Sequence, residues 1–303
     1  MTRRPQVPVP VMRAAVRWAV RPVLGPRTPV RVQRWWLDAV TRPTPLAADV
    51  DVRTGVLAGR PVEIAVPAGG SDATVLYLHG GGFCIGSPTT HRALATHLAA
   101  ATGATVHLLD YRLAPEHPHP AALDDAVAAW RELLATGADP AGAALAGDSA
   151  GGWLVLSAAL RLRADGDRLP AALGLLSPWL DLTGSSWPAR SADAMLRPSW
   201  LRRCAAAFAG GAEPSATQFA PLTADLGGLP PMVVQVGSDE ILLDDAVRLA
   251  VRGRAAGVPV DLRRLDGLWH VAQASAGMVA ASTSALQDFG RGLARHLTAR
   301  ATT

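Results

Sequence analysis

Residues Leu145–Trp153 read LAGDSAGGW, a serine set among glycines and alanines directly after a short apolar run. A chain that turns sharply from strand to helix has room only for small residues at the bend. In that setting Gly147-Asp148-Ser149-Ala150-Gly151 reads as a nucleophile elbow, with Ser149 Oγ held up at the carboxyl edge of a parallel sheet. The helix that follows aims its N–H groups and positive dipole end at any oxyanion formed there. Five residues of this kind also arise by chance in a chain with 29 glycines. The surroundings must therefore carry the reading.

Those surroundings have a rhythm. Short apolar runs occur at Thr74–Leu78 (TVLYL), Thr105–Leu109 (TVHLL), Ala143–Ala146, Leu173–Leu176, Met232–Val236 and Val260–Leu265. Between them lie helical patterns such as HRALATHLAAATG, LDDAVAAWRELLATG and DDAVRLAVRGRAAG, each ending at Gly, a natural helix stop. Strand-helix-strand alternation specifies a parallel sheet with helices on both faces. Val50–Val66 alternates around Thr54-Gly55 and Ala58-Gly59 and reads as a β-hairpin. The fold class is α/β, an eight-stranded, mostly parallel sheet flanked by helices. Thr183–Leu229, with Trp187 and Trp200, breaks the rhythm and reads as an insertion over the sheet.

Composition narrows the function. The 303 residues are 49% apolar, enough for one large core. The net charge is +4, every basic residue is Arg, and the arginines are scattered among acids, so no nucleic-acid face is expected. No apolar stretch approaches the ~18 residues of a membrane span. The N-terminus interrupts its apolar run with Arg13 and Arg17 and shows no cleavage site, so no signal peptide is expected and the cytoplasm is the default location. Cys84 and Cys204 allow at most one bridge, and Cys84 reads as a buried, inert thiol. Arg13, Arg17 and Arg21 form a stripe on a helix that either packs over the main domain, the preferred reading, or makes weak peripheral contact with anionic lipid. A homodimer is compatible with the sequence.

Two further stretches complete the pattern. LYLHGGGFCIGS (Leu76–Ser87) places three glycines directly after a strand, where backbone N–H groups can approach a substrate oxygen. GxGxxG spacing is absent, and a chain without Lys has no P-loop. DYRLAPEHPHPAALDD spans Asp110–Asp125. Taken in order, His79-Gly80-Gly81-Gly82, Tyr111–Ala122 and Gly147–Gly152 resemble the bacterial hormone-sensitive-lipase-like family of α/β-hydrolases, over about residues 50–295. The resemblance implies a serine carboxylic-ester hydrolase with a helical cap, here residues 1–45 and about 183–229, on a catalytic domain of 46–303. It also implies an oxyanion hole of the N–H groups of Gly81, Gly82 and Ala150. His79 is expected to hold the loop rather than act as base. His119 stands where the family has an aromatic, as does Ala272.

Ser149 needs a base. In this fold the chain order is Ser, acid, His, and His270 in RLDGLWHVAQ is the histidine late enough with a loop after a strand. His296 falls in the C-terminal helical tail. For the acid, VGSDEILLDD offers Asp239, Glu240, Asp244 and Asp245. The family pattern Asp-x-Leu-x-Asp fits with Glu240 at its head, thirty residues before His270, and Asp239 is the alternative. Asp244 and Asp245 are expected to cap the next helix and face solvent. Trp35, Trp36, Trp187, Trp200 and Trp269 are candidates to shorten an acyl slot, favouring acetyl to about hexanoyl chains. No cofactor and no metal are expected. N-acetyl amides and lactones are alternative substrates on the same triad. A catalytically silent small-molecule binder is the non-enzyme alternative, disfavoured because Ser149, an acid and His270 all stand.

Overall fold

A computed structural model of the chain describes residues 6–188 and 193–297. Eight strands form one sheet: β1 (Val50–Leu57), β2 (Arg60–Pro67), β3 (Thr74–Leu78), β4 (Thr105–Leu109), β5 (Ala143–Asp148), β6 (Ala172–Leu176), β7 (Met232–Gly237) and β8 (Val260–Leu265). Their order is β1-β2-β4-β3-β5-β6-β7-β8. β2 runs antiparallel to both neighbours and every other pairing is parallel. The hairpin turns at Ala58-Gly59, both with positive φ.

The central strands are buried throughout, which is why they read as uninterrupted apolar runs. Alternate side chains serve opposite faces. Val75 and Tyr77 of β3 join the core beneath α3 (Pro88–Thr102) and α8 (Ala280–Ala294). Leu76 and Leu78 join the core on the other face, beneath α4 (Ala121–Ala135), α5 (Ala150–Ala164) and α7 (Leu243–Ala255). The remaining helices are α1 (Val9–Ala15), which runs on through a π-helical turn at Val16–Val20, α2 (Val30–Thr41), and α6 (Pro198–Ala209) inside the stretch that broke the rhythm. Val9, Met12, Val16 and Val20 pack against Leu268, Trp269 and Ala272, so the N-terminal helix covers the loop that carries His270.

One expectation fails here. Asp245 does not face solvent: it is fully buried, and its Oδ2 accepts the N–H groups of Leu180 (2.7 Å) and Asp181 (2.9 Å). Burial pushes its carboxyl up to about 7, against the pull of those two N–H groups. The chain after β6 needs an acceptor there, and a requirement set 65 residues away leaves no local signature. Asp244, by contrast, is half exposed beside Arg248.

Phe289 is fully buried, its ring filling the space above Gly174 of β6. Phe289→Ala is expected to cost about 3–5 kcal/mol, read as a lowered urea midpoint.

Candidate active site

The elbow is built by crowding. Ser149 closes β5 with φ 53° and ψ −118°, a conformation that costs a non-glycine residue energy. A Cβ on Gly147 would stand 2.5 Å from Leu78 O, and one on Gly151 would overlap the same carbonyl. On Gly152 it would meet Pro178 Cβ at 2.8 Å. Only glycine fits these positions while β3, β5 and α5 remain in contact. Ser149 N donates to Leu176 O and Trp179 N donates to Ser149 O, so β6 fixes the strained residue from the side.

The loop after β3 comes to the same edge. Gly81 (φ 120°) and Gly82 (φ 59°) adopt backbone that side chains resist, and a Cβ on Gly82 would press on Cys204 and Trp200 of α6. Asp148 ties this loop to the elbow: its Oδ1 accepts from Gly80 N (3.0 Å) and Tyr77 OH (2.9 Å), and its carboxylate faces His91 Nε2 at 3.3 Å. Burial alone would raise the Asp148 carboxyl, but His91 and the Tyr77 hydroxyl outweigh it and hold it below the usual range. His79 stacks on Tyr111 with ring centroids 4.3 Å apart, and its Nδ1 meets Gly80 O at 2.8 Å. Burial lowers its pKa to about 3, so the ring is neutral and serves the loop, as expected. Tyr111 OH donates to His79 O at 2.6 Å, which gives the family's long motif a structural task. Among the described residues, the N–H groups of Gly81, Gly82 and Ala150 donate to no protein acceptor.

His270 and Ser149 line one cavity. His270 Nδ1 donates to Glu240 Oε2 at 2.6 Å, and the pair is buried. Glu240 Oε1 accepts from Ser177 Oγ (2.8 Å) and from Gly237 N, so both its oxygens are engaged. Asp239 lies apart from this pair, one third exposed, and is bonded to Arg13 and Ser238 Oγ. Of the two candidate acids, Glu240 is the one that reaches the imidazole. Burial works against the imidazolium of His270, yet the hydrogen bond and charge of Glu240, with Asp193 and Asp148 beyond, raise its pKa above 6.5.

Sequence reasoning missed Ser177, which has φ 47° and donates to Glu240 while accepting Val271 N at 3.2 Å. Its position directly after β6, at the carboxyl edge of the sheet, was the available signal. Asp193 was missed as well. Buried inside the rhythm-breaking stretch, it accepts Met195 N and Leu196 N on one oxygen and Ile241 N on the other.

The cavity measures about 110 Å³ and is walled by Leu24, Leu37 and Thr41 of the N-terminal segment, by Met195, Leu196 and Trp200, and by Ile85, Val271 and Ala274. Of the five candidate tryptophans only Trp200 lines it. Trp35 is exposed, Trp36 bonds to Ala19 O, Trp187 packs near Trp179, and Trp269 is buried under α1. A wider groove of about 540 Å³ opens at the opposite end of the strands, at Thr74 and Thr105, far from these groups. Cys84 and Cys204 are both buried thiols. No group of His, Cys, Asp and Glu among the described residues has the arrangement of a metal site, and no described helix is long and apolar enough to cross a membrane.

Residues 75–274 match a family described as alpha/beta hydrolase fold. The chain belongs to that family. This α/β-hydrolase is 45% identical to an acetyl-hydrolase of Streptomyces hygroscopicus, over 68% of this chain and 70% of the relative. It is 36% identical to a putative acetyl-hydrolase of Mycobacterium tuberculosis, over 80% and 79% of the two chains. A crystal structure of an esterase from the bacterial hormone-sensitive lipase family superposes with a TM-score of 0.90 at 39% identity, covering 98% of this hydrolase and 100% of that chain. The resemblance carried by the three motifs thus extends along almost the whole chain.

Asp148→Ala would strand the buried Gly80 N–H, Tyr77 hydroxyl and His91 ring together. It is expected to lower stability by about 3–5 kcal/mol, whereas Asp239→Ala, at a part-exposed ion pair, should cost about 1 kcal/mol or less. Parallel urea titrations compare the two.

Proposed function

We propose that this α/β-hydrolase is a serine carboxylesterase acting on short-chain acyl esters through an acyl-enzyme. The observation that carries the reading is the buried 2.6 Å bond from His270 Nδ1 to Glu240, on an imidazole that shares its cavity with Ser149. With Nδ1–H committed to Glu240, Nε2 is left as the acceptor, the tautomer that a general base requires.

In the first half-reaction Ser149 Oγ attacks the ester carbonyl carbon as its proton passes to His270 Nε2. The carbonyl oxygen becomes an oxyanion facing the otherwise unused N–H groups of Gly81, Gly82 and Ala150. Each such donor typically contributes about 3 kcal/mol to lowering the barrier. The imidazolium is stabilised by Glu240, whose second oxygen is fixed by Ser177 and Gly237. Collapse of the intermediate breaks the carbon–oxygen bond to the alcohol, which leaves with the proton from Nε2. Water then adds to the acyl-enzyme, giving its proton to the same nitrogen, and the acid departs as Ser149 Oγ takes the proton back.

Residues 1–45 and about 183–229 act as the cap, since they supply Leu24, Leu37, Thr41, Met195, Leu196 and Trp200 to the cavity wall. A space of about 110 Å³ is small beside the roughly 300–1,000 Å³ of drug-sized sites, which favours acetyl and other short acyl groups. The names of the relatives, two of them acetyl-hydrolases, agree with that preference.

Ser149→Ala is expected to remove p-nitrophenyl acetate turnover by roughly 10⁶-fold with the fold intact by circular dichroism. Near-parental activity in that variant would overturn the assignment. A panel of acetyl to dodecanoyl esters, with N-acetyl amides and a lactone, tests the substrate class.

The acidic limb of the kcat/KM profile should lie above pH 6.5, because activity needs neutral His270 and its raised pKa keeps the proton on to higher pH. Glu240→Gln removes the group that raises it. That variant should lose roughly 10³–10⁴-fold in kcat, with the limb moved to lower pH. Asp239→Asn should leave both quantities near parental values.

A further inference from the structure

The N-terminal segment is apolar on two faces, and the fold uses one. Val9, Met12, Val16 and Val20 are turned to the core. On the other face Val11 is 57% exposed and Trp18 76%, with Ala14, Ala15 and Ala19 open to solvent beside them. The Trp36 indole donates to Ala19 O at 2.8 Å and so holds α2 against this helix, one residue from Trp18. There Val32 and Trp35, one turn apart on α2, stand 41% and 66% exposed. Five of the eight large apolar side chains exposed among the described residues lie before residue 47. A monomer rarely gathers its exposed apolar surface in this way without a use for it.

The charge of the same segment is lopsided. Residues 1–45 contain nine arginines against the single acid Asp38, a balance of +8, while the whole chain carries only +4. Arg13 pairs with Asp239 and Arg34 with Glu116, so the stripe seen in the sequence is not free as a whole. Among the described residues Arg17, Arg21, Arg27, Arg31 and Arg42 have no carboxylate at ion-pair distance. Arg21 also has its Nε buried without a partner; burial and the neighbouring charges of Arg197 and Arg17 lower its pKa, against the opposing charge of Asp193.

We propose that this face docks on an anionic phospholipid surface, with Trp18, Trp35 and Val11 entering the headgroup region and Arg17, Arg27 and Arg31 meeting phosphates. Tryptophan prefers that depth, and apolar anchors joined to a basic patch supply the two signals that peripheral attachment needs. A second copy of the chain fits worse, because a symmetric contact through this face would set the two arginine clusters against each other. Leu24, Leu37 and Thr41 of the same segment wall the cavity, so a docked molecule would hold that wall toward the bilayer, where lipophilic esters partition. The docking stands independently of the catalytic assignment.

Co-sedimentation with vesicles tests it, comparing phosphatidylcholine alone with a mixture containing one third phosphatidylglycerol. The full chain should pellet with the anionic vesicles at low salt, at least roughly tenfold more tightly than with the neutral ones, and come off as salt is raised. Trp18→Ala/Trp35→Ala and Arg17→Gln/Arg31→Gln should each weaken binding roughly tenfold or more. Circular dichroism and turnover of water-soluble p-nitrophenyl acetate should stay parental, since none of these side chains lines the cavity. Parent protein that remains in the supernatant, or a double tryptophan variant that binds as the parent does, overturns the proposal. So does sedimentation showing a dimer that only the tryptophan substitutions dissolve.

Discussion

The structure turns on the carbonyl of Leu78. It lies so close to Gly147 and Gly151 that a single added carbon at either position would collide with it. That proximity brings the end of β3, the end of β5 and the start of α5 to one point, with the glycine loop on one side of Ser149 and β6 on the other. Asp148 converts the contact into a bonded joint by accepting from Gly80 N and Tyr77 OH. The positive φ of Ser149 is tolerable because its N–H and C=O are both held by the chain at the end of β6. Crowding, rather than any single strong bond, sets where the hydroxyl stands.

Around that joint the buried carboxylates act as connectors. Asp148 links the elbow to the glycine loop. Glu240 links the chain after β7 to His270 and Ser177, and Asp245 links α7 to the chain after β6. Each sits where strands end and backbone N–H groups lack ladder partners. A carboxylate that accepts two or three hydrogen bonds from backbone and side-chain donors offsets much of its own desolvation, which explains why acids cluster in an otherwise apolar edge. The uneven pKa consequences follow from the surroundings: at Asp148 the nearby histidine outweighs burial and the carboxyl goes down, whereas at Asp245 burial outweighs two N–H groups and the carboxyl goes up.

Much of this was legible from the chain alone. β3, β4 and β8 begin and end where their apolar runs do, because strands buried or paired within a sheet have little freedom to fray. Ser149, Glu240 and His270, separated by up to 121 residues, are brought to one sheet edge by the alternation of strands and helices that the sequence displays. The choice between Asp239 and Glu240 was harder, since adjacent acids differ only in which way each points. Asp239 is held by Arg13, 226 residues away, and Glu240 meets His270, two contacts that no local pattern announces. Asp245, Ser177 and Asp193 were misread or missed for a shared reason: each accepts at least one backbone N–H from a distant part of the chain (Leu180 and Asp181, Val271, and Ile241), and a backbone N–H has no residue type to recognise. The tryptophans mark the limit of composition, for an indole in a covering segment can face the cavity, the core or solvent, and only Trp200 faces the cavity.

Asp193 carries a consequence for how this site can vary. One oxygen fixes the backbone at Met195 and Leu196, which shape the apolar wall, and the other holds Ile241, the residue after Glu240. One side chain therefore couples the wall of the cavity to the stretch that carries Glu240. A lineage or a protein engineer that reshapes this stretch to widen the cavity shifts Glu240 in the same move, and under the proposed mechanism selectivity and speed would change together.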